Sequence, residues 1–213
     1  MSSICPAVMA TTDDPHEFRE IMEKVGTYAT RVQIDLMDGD FAPHHNISPD
    51  AIWWPEGVAA DVHLMYRYPE TVIDALIALR PNLIIVHAEA SGDLMNVLRR
   101  VKEADIKNGM AFLRTTDVYD HRDLVEQVDH VMLFGGELGG DGHGELGSLE
   151  GQATAVRAIK PGVELGWDGG ANSSNVERIR DAGVDVIVVG AALRRAEDPA
   201  AEYERLQYLA GRH

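Results

Sequence analysis

The sequence predicts an α/β protein, a closed (β/α)8 TIM barrel forming a single domain over residues 1–213. Two observations point there. Short apolar runs alternate with segments of helical period eight times, about every 25 residues, which suits eight parallel strands closing on themselves. No GxGxxG follows the first apolar run, as a doubly wound dinucleotide-binding sheet would require. A chain of 213 residues is long enough to bury one substantial core.

The elements follow in order. ICPAVMA (residues 4–10) is a short apolar run, and TTDDPHEFREIMEKV (11–25) continues with an Asp/Pro helix start and apolar residues at helical spacing. VQIDLMDGDF (32–41) alternates strictly, so Gln33, Asp35 and Met37 share one strand face and Val32, Ile34 and Leu36 the other, before the Asp38-Gly39 turn. The next stretch (42–57) is rich in Pro, His and Trp. It reads as a long irregular loop with at most a short helix, and loops of that length are usually functional. Its Trp53 and Trp54 suit either an interface or a lid. ADVHLMY (60–66) is a third strand, followed by PETVIDALIALR (69–80), a helix opened by Pro69. NLIIVHAEA and GDLMNVLRRVKEAD supply the fourth pair and NGMAFLR with VYDHRDLVEQV the fifth. HVMLFGG, a Gly-rich loop and LEGQATAVRAIK make the sixth, VELGWDGG with SNVERIRDAG the seventh, and DVIVVGAAL with DPAAEYERLQYLAG the eighth.

Composition narrows the function classes. The chain is 45% hydrophobic with no apolar stretch long enough to span a bilayer, and its N-terminus has no basic region before an apolar one. A cytoplasmic protein without a membrane partner is expected. The single cysteine, Cys5, excludes an internal disulfide or a cysteine-based zinc cluster, and its apolar surroundings make it structural. A net charge of −16 argues against nucleic acid and disfavours anionic ligands at long range, so a phosphate would need local capture by backbone N–H groups.

In a (β/α)8 barrel the C-terminal strand ends converge on the active site. Asp35, His63, His87 with Glu89, and Asp168 all fall in phase with inward positions there. Any one alone reads as a hydrogen-bonded barrel residue. Together Asp35, His63 and Asp168 form a candidate divalent-metal site of oxygen and imidazole donors. Burying Asp35 is costly unless a cation or donors meet it.

Here the residues resemble the ribulose-phosphate 3-epimerase family. IDLMDGDFAP is similar to that family's second strand, DVHLM followed by Pro69 to its third, and IIVHAE to its fourth. HVMLF, WDGG and GVDVIVVGAAL follow in the right order. The resemblance implies a barrel of the ribulose-phosphate-binding type and a place in pentose phosphate metabolism. It also implies a metal-dependent epimerase moving a proton at C3 of a ketose phosphate between two carboxylates through an enediolate. Asp35 and Asp168 would be the acid/base pair and also metal ligands, with His63 and Gln33 completing the set around Zn, Mn or Fe(II). Met37, Met65, Met132 and His87 would lie against the sugar. Gly139, Gly140, Gly169, Gly170, Gly190 and Ala191 would hold the phosphate by backbone N–H groups. No organic cofactor is implied. The partner is a small sugar phosphate, and the helix-lined outside of a barrel often supports homo-oligomers.

Several positions depart from the family. Gln33 stands where a histidine ligand is expected, so affinity falls, the preferred metal becomes harder, or the site is metal-free. Ala7 replaces a serine. LRTT (113–116) brings Arg114 as an alternative anion partner, and the loop 135–145 carries Glu137, Asp141 and Glu145 beside the phosphate region. Two other readings remain: an epimerase for another keto-sugar phosphate such as a hexulose 6-phosphate, and a non-catalytic sugar-phosphate binding protein. A decarboxylase of the orotidine-phosphate type would need a lysine between paired aspartates, which residues 35–38 do not supply.

Overall fold

The computed structural model describes residues 2–10, 12–140 and 144–211. Eight strands close into a barrel in sequence order: β1 (Ser3–Val8), β2 (Arg31–Met37), β3 (Ala59–Met65), β4 (Leu83–His87), β5 (Lys107–Leu113), β6 (His130–Phe134), β7 (Glu164–Asp168) and β8 (Val186–Val189). Neighbours are parallel throughout, and β1 pairs with β8. Parallel strands buried on both faces explain the runs of Val, Ile and Leu in the sequence.

Outward side chains such as Val32, Ile34 and Leu36 pack beneath the helices, and a separate inward set, Cys5, Leu83, Ile85, Ala111, Met132, Val186 and Val188, fills the barrel. The helices are α1 (Pro15–Val25), α2 (Ile73–Leu79), α3 (Leu94–Glu103), α4 (Arg122–Gln127), α5 (Leu149–Ile159), α6 (Val176–Asp181), α7 (Ala191–Arg194) and α8 (Pro199–Gly211). Local capping starts two of them. Asp14 accepts from the His16 N–H at 2.9 Å ahead of α1, and Asp93 from the Asn96 N–H at 3.0 Å ahead of α3. Among the described residues no helix is long and apolar enough to cross a membrane.

Three details differ from the expectation. Pro69 opens a 3-10 turn, Pro69–Thr71, and α2 begins only at Ile73, because Val72 at φ −123° and ψ −5° interrupts the helix. Two helices, not one, follow β8. The tryptophans of the long loop do not form a lid: the Arg19 guanidinium sits 4.5 Å over the Trp53 ring, both tryptophans pack on the helix-covered core, and Pro55 lies against Gly26 just after α1. That is the end of the barrel where strands begin, opposite the mouth.

Candidate active site

The β2 strand delivers Asp35 to the mouth, and the loop that follows fixes its position. Asn46 donates its amide N–H to the Asp35 carbonyl at 2.8 Å and accepts from the Met37 N–H at 2.9 Å, so the loop is stitched to the strand end. Asp38 is a second clamp. Its carboxylate accepts from the backbone N–H groups of Asp40, Phe41 and Arg67 at 2.8, 2.7 and 2.6 Å. Burial alone would raise the Asp38 carboxyl, but these donors hold it below the ordinary range.

At the centre, Gln33 and Asp35 of β2 meet His63 of β3 and Asp168 of β7. The Gln33 side-chain N–H donates to Asp35 Oδ1 at 2.9 Å and to Asp168 Oδ2 at 2.7 Å, with His63 Nδ1 3.4 Å away. His63 Nδ1 lies 3.1 Å from Asp35 Oδ1 and 3.6 Å from Asp168 Oδ2. Burial, with the Asp35 charge adding to it, pushes the Asp168 carboxyl up to about 6 against the smaller opposing pulls of His63 and Gln33. No Lys or Arg contacts either carboxylate among the described residues.

This arrangement fits a divalent cation. One donor atom each from Asp35, His63 and Asp168 lies within 4.8 Å of the others. Two neighbouring carboxylates without a guanidinium or ammonium call for positive charge. Gln33 presents its amide N–H to this centre; turned over, the amide offers its carbonyl oxygen instead. The donor set is then three oxygens and one imidazole nitrogen, harder than a histidine-rich one.

Behind His63 runs a buried chain. His63 Nε2 and His87 Nε2 are 2.8 Å apart, and His87 Nδ1 lies 3.4 Å from Glu89 Oε2. Glu89 Oε1 accepts from the Leu113 N–H at 2.9 Å and from the Thr116 hydroxyl. Burial pushes the His87 imidazole down to about 4 despite Glu89, so it is neutral near pH 7.

Above the centre is a cavity of about 180 Å³, whose wall includes Asp35, Asp168, Met37, Met65, Gly139, Gly140, Gly169, Gly170, Gly190 and Ala191. The structure thus brings these sequence-selected residues together. It does not bring Met132, which lies fully buried with the inward barrel residues; Phe134, two residues on, reaches the cavity in its place. His87 stands behind His63 and does not line the cavity either. Arg114 is drawn away by an ion pair with Glu145, so the proposed anion partner and one of the suspected repulsive carboxylates cancel each other outside the cavity wall. Glu137 does line it. Asp141 lies outside the described residues.

Sequence reasoning missed Met9, Asn172, Arg194 and Arg195 on the same wall. The arginines come about one helical turn after Gly190, Arg194 closing the short α7 and Arg195 capping it. The glycines bring two loops backbone to backbone. Gly169 has φ +148°, and a Cβ there would stand 2.5 Å from the Gly136 nitrogen. A Cβ on Gly144 would stand 2.2 Å from the Gly169 oxygen.

A parallel eight-stranded barrel with paired carboxylates and an imidazole under a mouth cavity has the form of a (β/α)8 enzyme. More particularly, the chain belongs to the ribulose-phosphate 3 epimerase family, whose model matches residues 3–194. Relatives named ribulose-phosphate 3-epimerase include that of Mycobacterium tuberculosis, 26% identical over 217 residues covering 98% of this chain and 93% of the relative. The Helicobacter pylori protein is 28% identical over 211 residues, with 96% of each chain covered. Among solved structures, 3-hexulose-6-phosphate synthase from Salmonella typhimurium has a TM-score of 0.69 at 17% identity, covering 98% of both chains. Orotidine 5'-phosphate decarboxylase from Pyrococcus horikoshii OT3 also scores 0.69 at 17% identity, covering 99% of this chain and all of the other. At that identity the likeness is one of fold.

Proposed function

We propose that this chain is a metal-dependent epimerase that interconverts ribulose 5-phosphate and xylulose 5-phosphate at C3. The observation that carries the reading is the pair Asp35 and Asp168, joined across the Gln33 amide at the floor of a cavity in a chain of this family. One carboxylate removes the C3 proton, the electron pair moves into an enediolate, and the other returns a proton to the opposite face. One carboxylate enters ionised as the base and the other protonated as the acid; the roles exchange with direction. Asp35, His63, Asp168 and the Gln33 carbonyl oxygen would hold a divalent cation, which would supply positive charge to stabilise the enediolate. Relative to a histidine-richer site, this oxygen-rich donor set shifts preference away from zinc toward harder ions such as Mn(II) or Fe(II).

Cavity size supports a small substrate. The cavity of about 180 Å³ above the carboxylates suits a ligand the size of a pentose or hexose phosphate. The loop glycines, Gly190 and Ala191 offer backbone donors at the phosphate end, with Arg194 and Arg195 beside them. Local capture matters because the chain carries a net charge of −16 and repels anions at long range.

The test is deuterium incorporation from D₂O into ribulose 5-phosphate, followed by proton NMR with added Mn(II), Fe(II) or zinc and quenched before recording. Metal-dependent exchange at C3, reduced about 10²- to 10⁴-fold in Asp168→Asn, is expected. Folded, metal-loaded protein that exchanges no pentose phosphate sinks this substrate. The same capacity of the cavity for a hexulose 6-phosphate makes that the next substrate to try, and a protein that binds sugar phosphate without exchange is the non-catalytic case.

A further inference from the structure

We propose that Glu89 is a positioning residue that acts through His87 to keep the Nδ1 lone pair of His63 turned toward Asp35 and Asp168. The inference rests on the reading of that centre as a cation site, and concerns how the chain prepares its one imidazole ligand.

The argument is a count of protons on two buried rings. Both His63 and His87 are fully buried, and their Nε2 atoms stand 2.8 Å apart, so one ring donates a single proton and the other accepts it. At the outer ends of the pair, His63 Nδ1 faces the carboxylates and His87 Nδ1 faces Glu89 Oε2. His87 Nδ1 and Glu89 Oε2 are also the two buried atoms on this chain of residues without a hydrogen-bond partner, among the described residues. Only two proton arrangements exist for neutral rings.

In the first, His63 carries its proton on Nδ1 and donates to Asp35. His87 must then carry its proton on Nε2, and its bare Nδ1 confronts the Glu89 carboxylate with no proton between them. Two buried acceptors face each other, which is a costly outcome in a low-dielectric interior. In the second, His87 carries its proton on Nδ1, aimed at Glu89, and accepts from a proton on His63 Nε2. The His87 Nδ1 proton then faces the Glu89 carboxylate across 3.4 Å, the electrostatically favoured arrangement, and the His63 Nδ1 lone pair points into the centre. That lone pair is what a metal takes. Glu89 is itself held by the Leu113 N–H and the Thr116 hydroxyl on its other oxygen, so it cannot turn away. The carboxylate two residues past β4 thus sets a proton position two side chains away.

The substitution Glu89→Gln tests this with almost no change of shape. Its amide oxygen takes the Leu113 and Thr116 donors, which turns its NH₂ toward His87 Nδ1 and reverses the whole chain of protons. Mn(II) affinity, read by electron paramagnetic resonance, is expected to fall about 10- to 100-fold in E89Q, the range seen when a group behind a metal ligand is lost. Long-range ¹H–¹⁵N spectra of the metal-free protein are expected to place the His87 proton on Nδ1 in the wild type and on Nε2 in E89Q. Equal Mn(II) affinity with an unchanged His87 tautomer overturns the proposal. Should E89Q fail to fold, the wild-type spectrum decides alone, and a His87 proton on Nε2 overturns it. A wild type that takes up no Mn(II) overturns the cation reading of the centre, while the tautomers still decide the role of Glu89.

Discussion

The two ends of the barrel interior treat buried carboxylates in opposite ways. At the end where strands begin, Arg31 donates through Nε to Asp61 at 2.7 Å and through both terminal nitrogens to Glu164 at 2.9 and 2.8 Å. Asn82 donates to the other oxygen of Asp61 at 2.6 Å, and His130 Nδ1 lies 2.8 Å from Glu164. At the mouth, Asp35 and Asp168 share one amide and one imidazole. The electrostatic outcome follows. Burial would lift Glu164, yet its bonds to Arg31 and His130 bring its carboxyl far below the ordinary range, while Asp168 is lifted to about 6. Asp61 is the intermediate case: more deeply buried than Glu164, it stays raised even with Arg31 and Asn82 attached. The closed end carries its own counter-charge and fixes shape; the mouth leaves a demand for charge that a ligand can meet.

Arg31→Met breaks the closed end. It leaves the buried Asp61 and the half-buried Glu164 without their cation, and a loss of about 3–5 kcal/mol in urea denaturation is expected. A loss under 1 kcal/mol would mean that the network is solvated and the contrast with the mouth is false.

The second test sharpens the mouth. Native Asp168 keeps its proton up to about pH 6, whereas the unfolded chain releases it near 3.8. Between those values the native state binds more protons than the unfolded one, so this group makes stability fall as pH rises through the window. The full drop is about 3 kcal/mol, present in EDTA and relieved by a bound cation. Asp168→Asn removes that drop. Denaturation of both proteins in EDTA at pH 4.5 and 7.5 checks it, and a difference between them that ignores pH contradicts the contrast.

The smallest effect belongs between the ends. Met132→Leu is expected to cost less than about 1.5 kcal/mol, because volume is nearly conserved in the inward layer. KM for the sugar phosphate should stay unchanged, whereas Met65→Ala, on the cavity wall, should raise it. A changed KM in Met132→Leu would put that residue back beside the substrate.

Much of the mouth was legible because strand alternation is local. Asp35 follows from the period of β2, and Asp168 and His63 from strand ends in phase. What alternation does not carry is depth. Met132 and Phe134 share a face of β6, and only the stagger of neighbouring strands decides that the second one reaches the cavity. Arg114 is chemically suited to an anion, but Glu145 on the next loop claims it, and such rivalry between separate loops leaves no trace in spacing. The Arg31 network escaped entirely: Arg31 and Glu164 are 133 positions apart, and each alone reads as a strand-end charge. Arg194 and Arg195 were overlooked because α7 has four residues, too few for a period.

The clasp made by Asn46 has a dynamic consequence. Its two hydrogen bonds enclose the backbone from Asp35 to Met37, so any swing of the long loop away from the mouth must first release the Met37 amide proton to solvent. The exchange lifetime of that one proton therefore clocks how often the loop and Asp35 part company. A sugar phosphate that seats itself above Asp35 should lengthen it.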